Sequence, residues 1–103
     1  MKIVKVTYTV QPSFVETNLK NVATFIADIK ALNNSEIRYV SYLAEDGKTF
    51  VHMGTFGSDH AQQQFLALPS FRSFQQARNG SGLEKTEHIE CLEVAAASYP
   101  LLA

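Results

Sequence analysis

His52 stands inside FVHMGTF, residues 50–56, an otherwise apolar run with the character of a strand. An imidazole titrates nearer neutrality than any other unperturbed side chain, so a histidine beside a phenolic ligand can take its proton at physiological pH. Its neighbours decide whether it has that work. Asp46-Gly47 is a favoured pair for a two-residue type I′ hairpin turn. If those two residues form the loop, Glu45 faces Lys48, Leu43 faces Phe50, Ser41 faces His52 and Tyr39 faces Gly54. Tyr39 is then diagonal to His52, within reach of a long side chain. Gly54 removes a side chain and leaves room between the sheet and whatever covers it. A cluster of His52, Tyr39 and Ser41 beside a gap is an acid–base site, with His52 as the base. The competing expectation is plainer: His52 donates one ring N–H to Ser41 or to a carbonyl and packs in the core.

The remaining reactive residues are isolated. His60 falls in the first turn of a helix, where a protonated imidazole is disfavoured, and is expected on the surface. His88 lies between Glu87 and Glu90 on a solvated strand face. The lone Cys91 cannot form an intrachain disulfide. It alternates with Ile89, which suggests a small buried apolar residue, and a reducing cytoplasmic setting is the default. The three histidines have no zinc-type spacing, so no metal or other cofactor is expected. Phe25, Phe50, Phe56, Phe65, Phe71 and Phe74 could line a pocket for a flat ligand or simply form the core of a small domain. Arg38 and Arg72 are the cations best able to hold an acidic substituent, or are ordinary surface charges.

The elements that must position these groups are legible. The 103 residues suit a single domain, 1–103. Residues 2–10 alternate as a strand, with Val4, Val6, Tyr8 and Val10 on one face. Ser13 and Glu16 have the spacing of a capping box. After them Val15, Leu19, Val22, Ile26 and Ile29 form a helical stripe, with Phe25 and Leu32 at its shoulders. The helix ends at Asn33–Glu36. Residues 37–56 form the hairpin. A second helix begins at 57–68, capped by Ser58 or Asp59, and Pro69 opens another helical piece over 69–80. A loop over 79–82 and a last strand over 83–97 follow, then the apolar tail SYPLLA, expected to be disordered or docked on a partner.

The order β-α-β-β-α-β is the ferredoxin-like pattern: α+β, a four-stranded antiparallel sheet with its helices on one face. Both faces of the hairpin carry large apolar residues, and helices can cover only one of them. Val40, Tyr42, Val51 and Met53 would remain as an apolar patch, which a second copy of the chain would cover in a two-fold homodimer. Net charge is −1, with no basic excess to attract nucleic acid. No apolar run is long enough to cross a membrane.

The segment TFVHMGTFGSDHAQQQFLALPSFRSF, residues 49–74, resembles the strand–helix segment of the antibiotic-biosynthesis-monooxygenase family. The matching positions are Phe56 at the strand end, the Ser58-Asp59 cap, the helix Gln62–Leu68, the break at Pro69 and the aromatic Phe71. Element order agrees over nearly the whole chain. The resemblance implies a dimeric α+β barrel. It also implies binding of an aromatic or quinol-type small molecule, with cofactor-independent monooxygenase chemistry on a deprotonated, electron-rich ring. Non-catalytic ligand binding or a stress-related role is the alternative. Many members of that family carry tryptophan where Phe56 stands and histidines where Phe65 and Ser70 stand. Haem-degrading relatives have a tryptophan and a histidine where this chain has Phe65 and Gln75, and Gln75 offers haem iron no imidazole. His52 is left as the main titratable candidate.

Overall fold

Alternation in three strands sorts the chain into one helix-covered and one open sheet face. The computed structural model describes residues 1–102. Its elements are β1 (Lys2–Thr9), a 3-10 turn (Pro12–Phe14), α1 (Val15–Leu32), β2 (Ile37–Leu43), β3 (Thr49–Phe56), α2 (Asp59–Leu66), α3 (Pro69–Gly80) and β4 (Lys85–Leu92). The strands form one antiparallel sheet in the order β2-β3-β1-β4, the ferredoxin-like arrangement.

The hairpin register is the expected one. Tyr39 pairs with Gly54, Ser41 with His52 and Leu43 with Phe50. The turn, however, is longer than two residues. Only Gly47 has positive φ, at 75°, whereas a type I′ turn needs Asp46 there too. Ala44 and Thr49 close the ladder instead, with Ala44 N–H donating to the Thr49 carbonyl at 2.8 Å, so Glu45 and Lys48 lie in the loop. The Asp46 carboxylate accepts from the Lys48 and Thr49 N–H groups and from the Thr49 hydroxyl. Those bonds, the Thr49 hydroxyl first, hold its pKa down at about 2. Adding one residue on each side of a two-residue loop preserves the pairing, so the faces survive the change of turn.

Other boundaries moved for local reasons. The Ser13–Glu16 capping box does not form, because the helical path starts earlier at Pro12, whose fixed φ suits a first turn. Ser13 lies within the 3-10 turn, and Phe14 occupies the cap of α1 without a side-chain bond. The buried face of α1 is Asn18, Val22, Phe25 and Ile29, so Phe25 is central and Leu19 turns outward. Asn33, at φ 51°, stops the helix in the left-handed conformation that asparagine tolerates. Ser58 caps α2, its hydroxyl accepting from Ala61 N–H at 3.1 Å. Pro69 sits in the first turn of α3, which runs through Gly80 into the expected loop. β4 stops at Leu92 rather than 97, because Leu92 already pairs with Ile3 and β1 has almost no residues left to pair. The segment after β4 borders, with Ile3 and Met53, a groove on the outer face. Cys91 and Ile89 are exposed, against the expectation of burial, since β4 is an edge strand beyond the helices.

Phe25 is the hub of the core. Its ring meets Tyr39, Phe65 and Phe71 edge-on at 5.4, 6.4 and 5.3 Å between centroids and lies 4.9 Å from Phe74. Truncating so central an aromatic ring leaves a cavity. Phe25→Ala is expected to lower the unfolding free energy by about 3–5 kcal/mol in a urea titration. A loss under about 1 kcal/mol would mean that α1 docks by other contacts.

Candidate functional site

The site is built on the helix-facing side of β1, β2 and β3. Alternation puts Val4, Val6 and Tyr8 of β1 on the same face as His52 and Gly54 of β3, and the β1–β3 register sets Val6 beside His52 and Val4 beside Gly54. Above these small or open positions lies a cavity of about 210 Å³. Its strand side is Val4, Val6, His52, Gly54 and Phe56. Its helix side is Phe65, Phe71 and Phe74, with the amides of Gln62 and Gln75. Arg78, Glu87 and Ile89 close the end toward β4, and Tyr39 lines the other. A dry cavity of ~150 Å³ admits benzene, so this one has room for an aromatic ring. Gly54 lets two of the cavity walls approach the strand: a Cβ there would come within 2.9 Å of the Phe56 ring and 3.3 Å of Tyr39.

His52 is at the polar end and only 1 % exposed. Both ring nitrogens are engaged, Nε2 with the Tyr8 hydroxyl and Nδ1 with the Tyr39 hydroxyl, each at 2.8 Å. Asn18 of α1 donates to the Tyr8 oxygen at 2.9 Å. The result is a buried line, Asn18–Tyr8–His52–Tyr39, running from the helix through the sheet to the cavity. Burial, and then the nearby Arg78 charge, push the His52 pKa down to about 3. Burial raises Tyr8 to about 12, against the hydrogen bond from Asn18 and the Arg78 charge, and raises Tyr39 further. Both phenols and the imidazole are therefore neutral at physiological pH.

Arg78 is 3 % exposed. Its Nη2 pairs with Glu87 Oε2 at 2.7 Å and its Nε donates to Asn79, while the guanidinium lies 5.0 Å from the centre of the Tyr8 ring and 5.3 Å from that of Phe74. A buried cation held against two ring faces and a half-exposed carboxylate gives the cavity a positive end.

Of the residues expected to form a site, His52 and Tyr39 meet directly. Ser41 does not: it stands opposite His52 across the ladder but bonds neither nitrogen, because the tyrosine hydroxyls reach both first. Gly54, Phe56, Phe65 and Phe71 line the cavity. Phe50 and Phe25 do not. Phe50 is stacked on Tyr8 at 5.6 Å, and Phe25 lies behind His52 with their rings 6.1 Å apart. Arg38 and Arg72 are exposed and away from the cavity. His60 and His88 are exposed, as expected, with His88 near Glu90 at 3.7 Å. The residues that sequence reasoning missed are Tyr8, Asn18, Arg78 and Glu87. Tyr8 was already on the correct strand face, but nothing local told which strand β1 would pair with. Asn18 had a visible signal, standing four residues before Val22 on the buried stripe.

No family model matches the chain, and no curated protein matches it. Solved structures do. The Rv0793 protein of Mycobacterium tuberculosis superposes with a TM-score of 0.78 at 15% identity, over 95% of this chain and 98% of its own. An antibiotic biosynthesis monooxygenase gives 0.74 at 11% identity, over 93% and 100%. The fold is that of the antibiotic biosynthesis monooxygenases. SnoaB of Streptomyces nogalater, described as a cofactor-independent oxygenase, shares this monooxygenase fold with a TM-score of 0.64 at 18% identity, over 94% of this chain and 96% of its own. Across these monooxygenase-fold structures the likeness is one of backbone arrangement.

The depressed His52 pKa carries a consequence for stability. The unfolded chain takes up a proton near pH 6.5 and the folded one only near pH 3, so the unfolded state binds more protons in between. Stability that is complete above pH 6.5 is lost as pH falls toward 3. The expected slope from this one group approaches about 1.4 kcal/mol per pH unit in that window. Urea titrations at pH 7, 5.5 and 4.5 should show it in the parent and a shallower fall in His52→Gln. Parallel falls in both would assign the acid lability to other groups.

Proposed function

We propose that the chain is a cofactor-independent, monooxygenase-type protein that binds an aromatic or quinol-type small molecule in the cavity beneath α2 and α3. The observation that carries this reading is that the cavity reaches His52 and Tyr39. An apolar, aromatic-walled space holds a flat ring, and the polar end sets its orientation. Tyr39 is the group that would touch a ligand oxygen, and His52 the group that would hold Tyr39 and exchange protons with it. Arg78 favours negative charge developing on a bound ring, by the same attraction that opposes the burial-driven rise of the tyrosine pKa values. Phe56, Phe65 and Phe71 form the ring-binding walls.

One observation favours a second reading, a non-catalytic dimeric ligand-binding or stress-related module. An imidazole whose two nitrogens are both engaged within the protein, and whose pKa is about 3, is a weak base. Oxygen uptake with a panel of hydroquinones and anthrones separates the two. The monooxygenase reading expects turnover in the parent, and a fall of about 10²–10⁴-fold in His52→Ala, the span of acid–base assistance. Tight binding of the same compounds with no oxygen uptake would replace it with the second reading.

The homodimer belongs to this proposal. Val40 and Tyr42 are 45% and 55% exposed on the uncovered face, beside half-buried Val51 and Met53. A second sheet would take that surface out of water. Sedimentation at micromolar concentration is expected to give a dimer, and Tyr42→Asp to shift it toward monomer. A monomeric parent would sink the two-sheet arrangement. A cytoplasmic setting is proposed on the strength of the single unpaired cysteine.

A further inference from the structure

We infer that Asn18 and Tyr8 lock His52 in its Nδ1–H tautomer, so that Tyr39 presents an O–H to the cavity and the site takes an aromatic ligand through an acceptor oxygen, the carbonyl of an aryl ketone or quinone. The inference rests on the reading of this cavity as a ligand site.

The direction of the line follows from Asn18. This side chain is fully buried, its amide nitrogen is on the Tyr8 oxygen, and its Oδ1 has no partner among the described residues. Turning the amide over would put the oxygen on Tyr8 and move the NH₂ group to the position where Oδ1 now makes no hydrogen bond. Orphaned buried N–H groups are rarer than under-satisfied carbonyl oxygens, so the nitrogen stays on Tyr8. The Tyr8 oxygen is then an acceptor from Asn18, and among the described residues its own proton has one acceptor, His52 Nε2. A neutral imidazole carries a single N–H. With Nε2 accepting, that proton is on Nδ1 and is donated to the Tyr39 oxygen. The Tyr39 hydroxyl proton has no acceptor among the described residues. Tyr39 and His52 both line the cavity, and no lone pair of His52 is free there. A ligand that reaches this end therefore meets a donor, and an oxygen with lone pairs pairs with it. Asn18 and Tyr8 act as positioning residues, since neither lines the cavity.

Nitrogen-15 spectra of the whole chain, labelled at histidine, read the tautomer directly, with the His52 signals assigned by their loss in His52→Gln. The parent is expected to show a protonated Nδ1 and a bare Nε2, the reverse of the tautomer that free histidine prefers in water. A protonated Nε2 in the parent would overturn the inference. Asn18→Leu frees the Tyr8 oxygen to accept, so this variant is expected to shift His52 toward Nε2–H, whereas Tyr8→Phe leaves Nε2 without a partner and keeps the proton on Nδ1, where the Tyr39 oxygen accepts it. No shift in folded Asn18→Leu would overturn the locking role. For the ligand, 1-tetralone and tetralin differ by one carbonyl. Tyr39→Phe is expected to weaken the ketone about fivefold, one hydrogen bond's worth, and to leave the hydrocarbon unchanged. Equal effects on both would overturn the acceptor preference. None of these measurements depends on oxygen uptake, so a failure of the oxygenase reading and a failure of the tautomer lock are seen separately.

Discussion

A buried imidazole with a tyrosine hydroxyl on each ring nitrogen is the constraint on which the rest of the site depends. An imidazole removed from water without partners would cost ~1–3 kcal/mol for each unpaired nitrogen. Two neighbouring strands remove that cost, β1 through Tyr8 and β2 through Tyr39, both at 2.8 Å from His52 on β3. The three strands must therefore hold one register. A slip of one residue in either partner strand would carry its tyrosine to the opposite face and strand the histidine. The polar line thus ties the hairpin and β1 together at the position where the cavity begins.

The aromatic residues divide their labour around that line. Phe25 and Phe50 pack behind it, against His52 and Tyr8, and keep water from the bonds. Phe65 and Phe71 stand in front with their centroids 4.3 Å apart and form the roof over the open space. Gly54 lets the Phe56 and Tyr39 rings lie close against the strand beside the cavity, since a side chain there would run into both. Arg78 extends the packing toward β4 and brings a buried charge, paired with the Glu87 carboxylate, to a site whose imidazole and phenols are neutral. Its partner Glu87 lies on β4 near the register shift opposite Thr7 and Thr9. An apolar chamber with donors at its polar end and a cation beside it follows from the placement of these few residues.

Much of this was legible before any tertiary contact was known, because the patterns concerned are local. Alternation placed Tyr8, Tyr39, His52 and Gly54 on the correct strand faces. The hairpin register followed from the centre of the turn, and it survived a wrong turn type because the loop grew symmetrically about Asp46-Gly47. Where local signals misled, a stronger neighbour won. Pro12 displaced the cap expected at Ser13, and the shortness of β1 ended β4 at Leu92.

The sequence by itself determined the element order, the faces of the strands and the isolation of His52 as the titratable group in an apolar run. These depend on periodicities of two and 3.6 residues, which chain chemistry imposes without reference to anything distant. Only the tertiary structure decided what His52 touches. Ser41 was its neighbour along the hairpin, yet Tyr8, 44 residues away, and Tyr39 took its two nitrogens, because β1 inserted beside β3 and both hydroxyls reached farther than a serine. The same packing chose Arg78 over Arg38 and Arg72, since Arg78 is on the buried face of α3 while Arg72 is on its exposed face and Arg38 on the open face of β2. Side-chain partners and cavities are properties of how elements stack, and no local pattern in the chain carries that information.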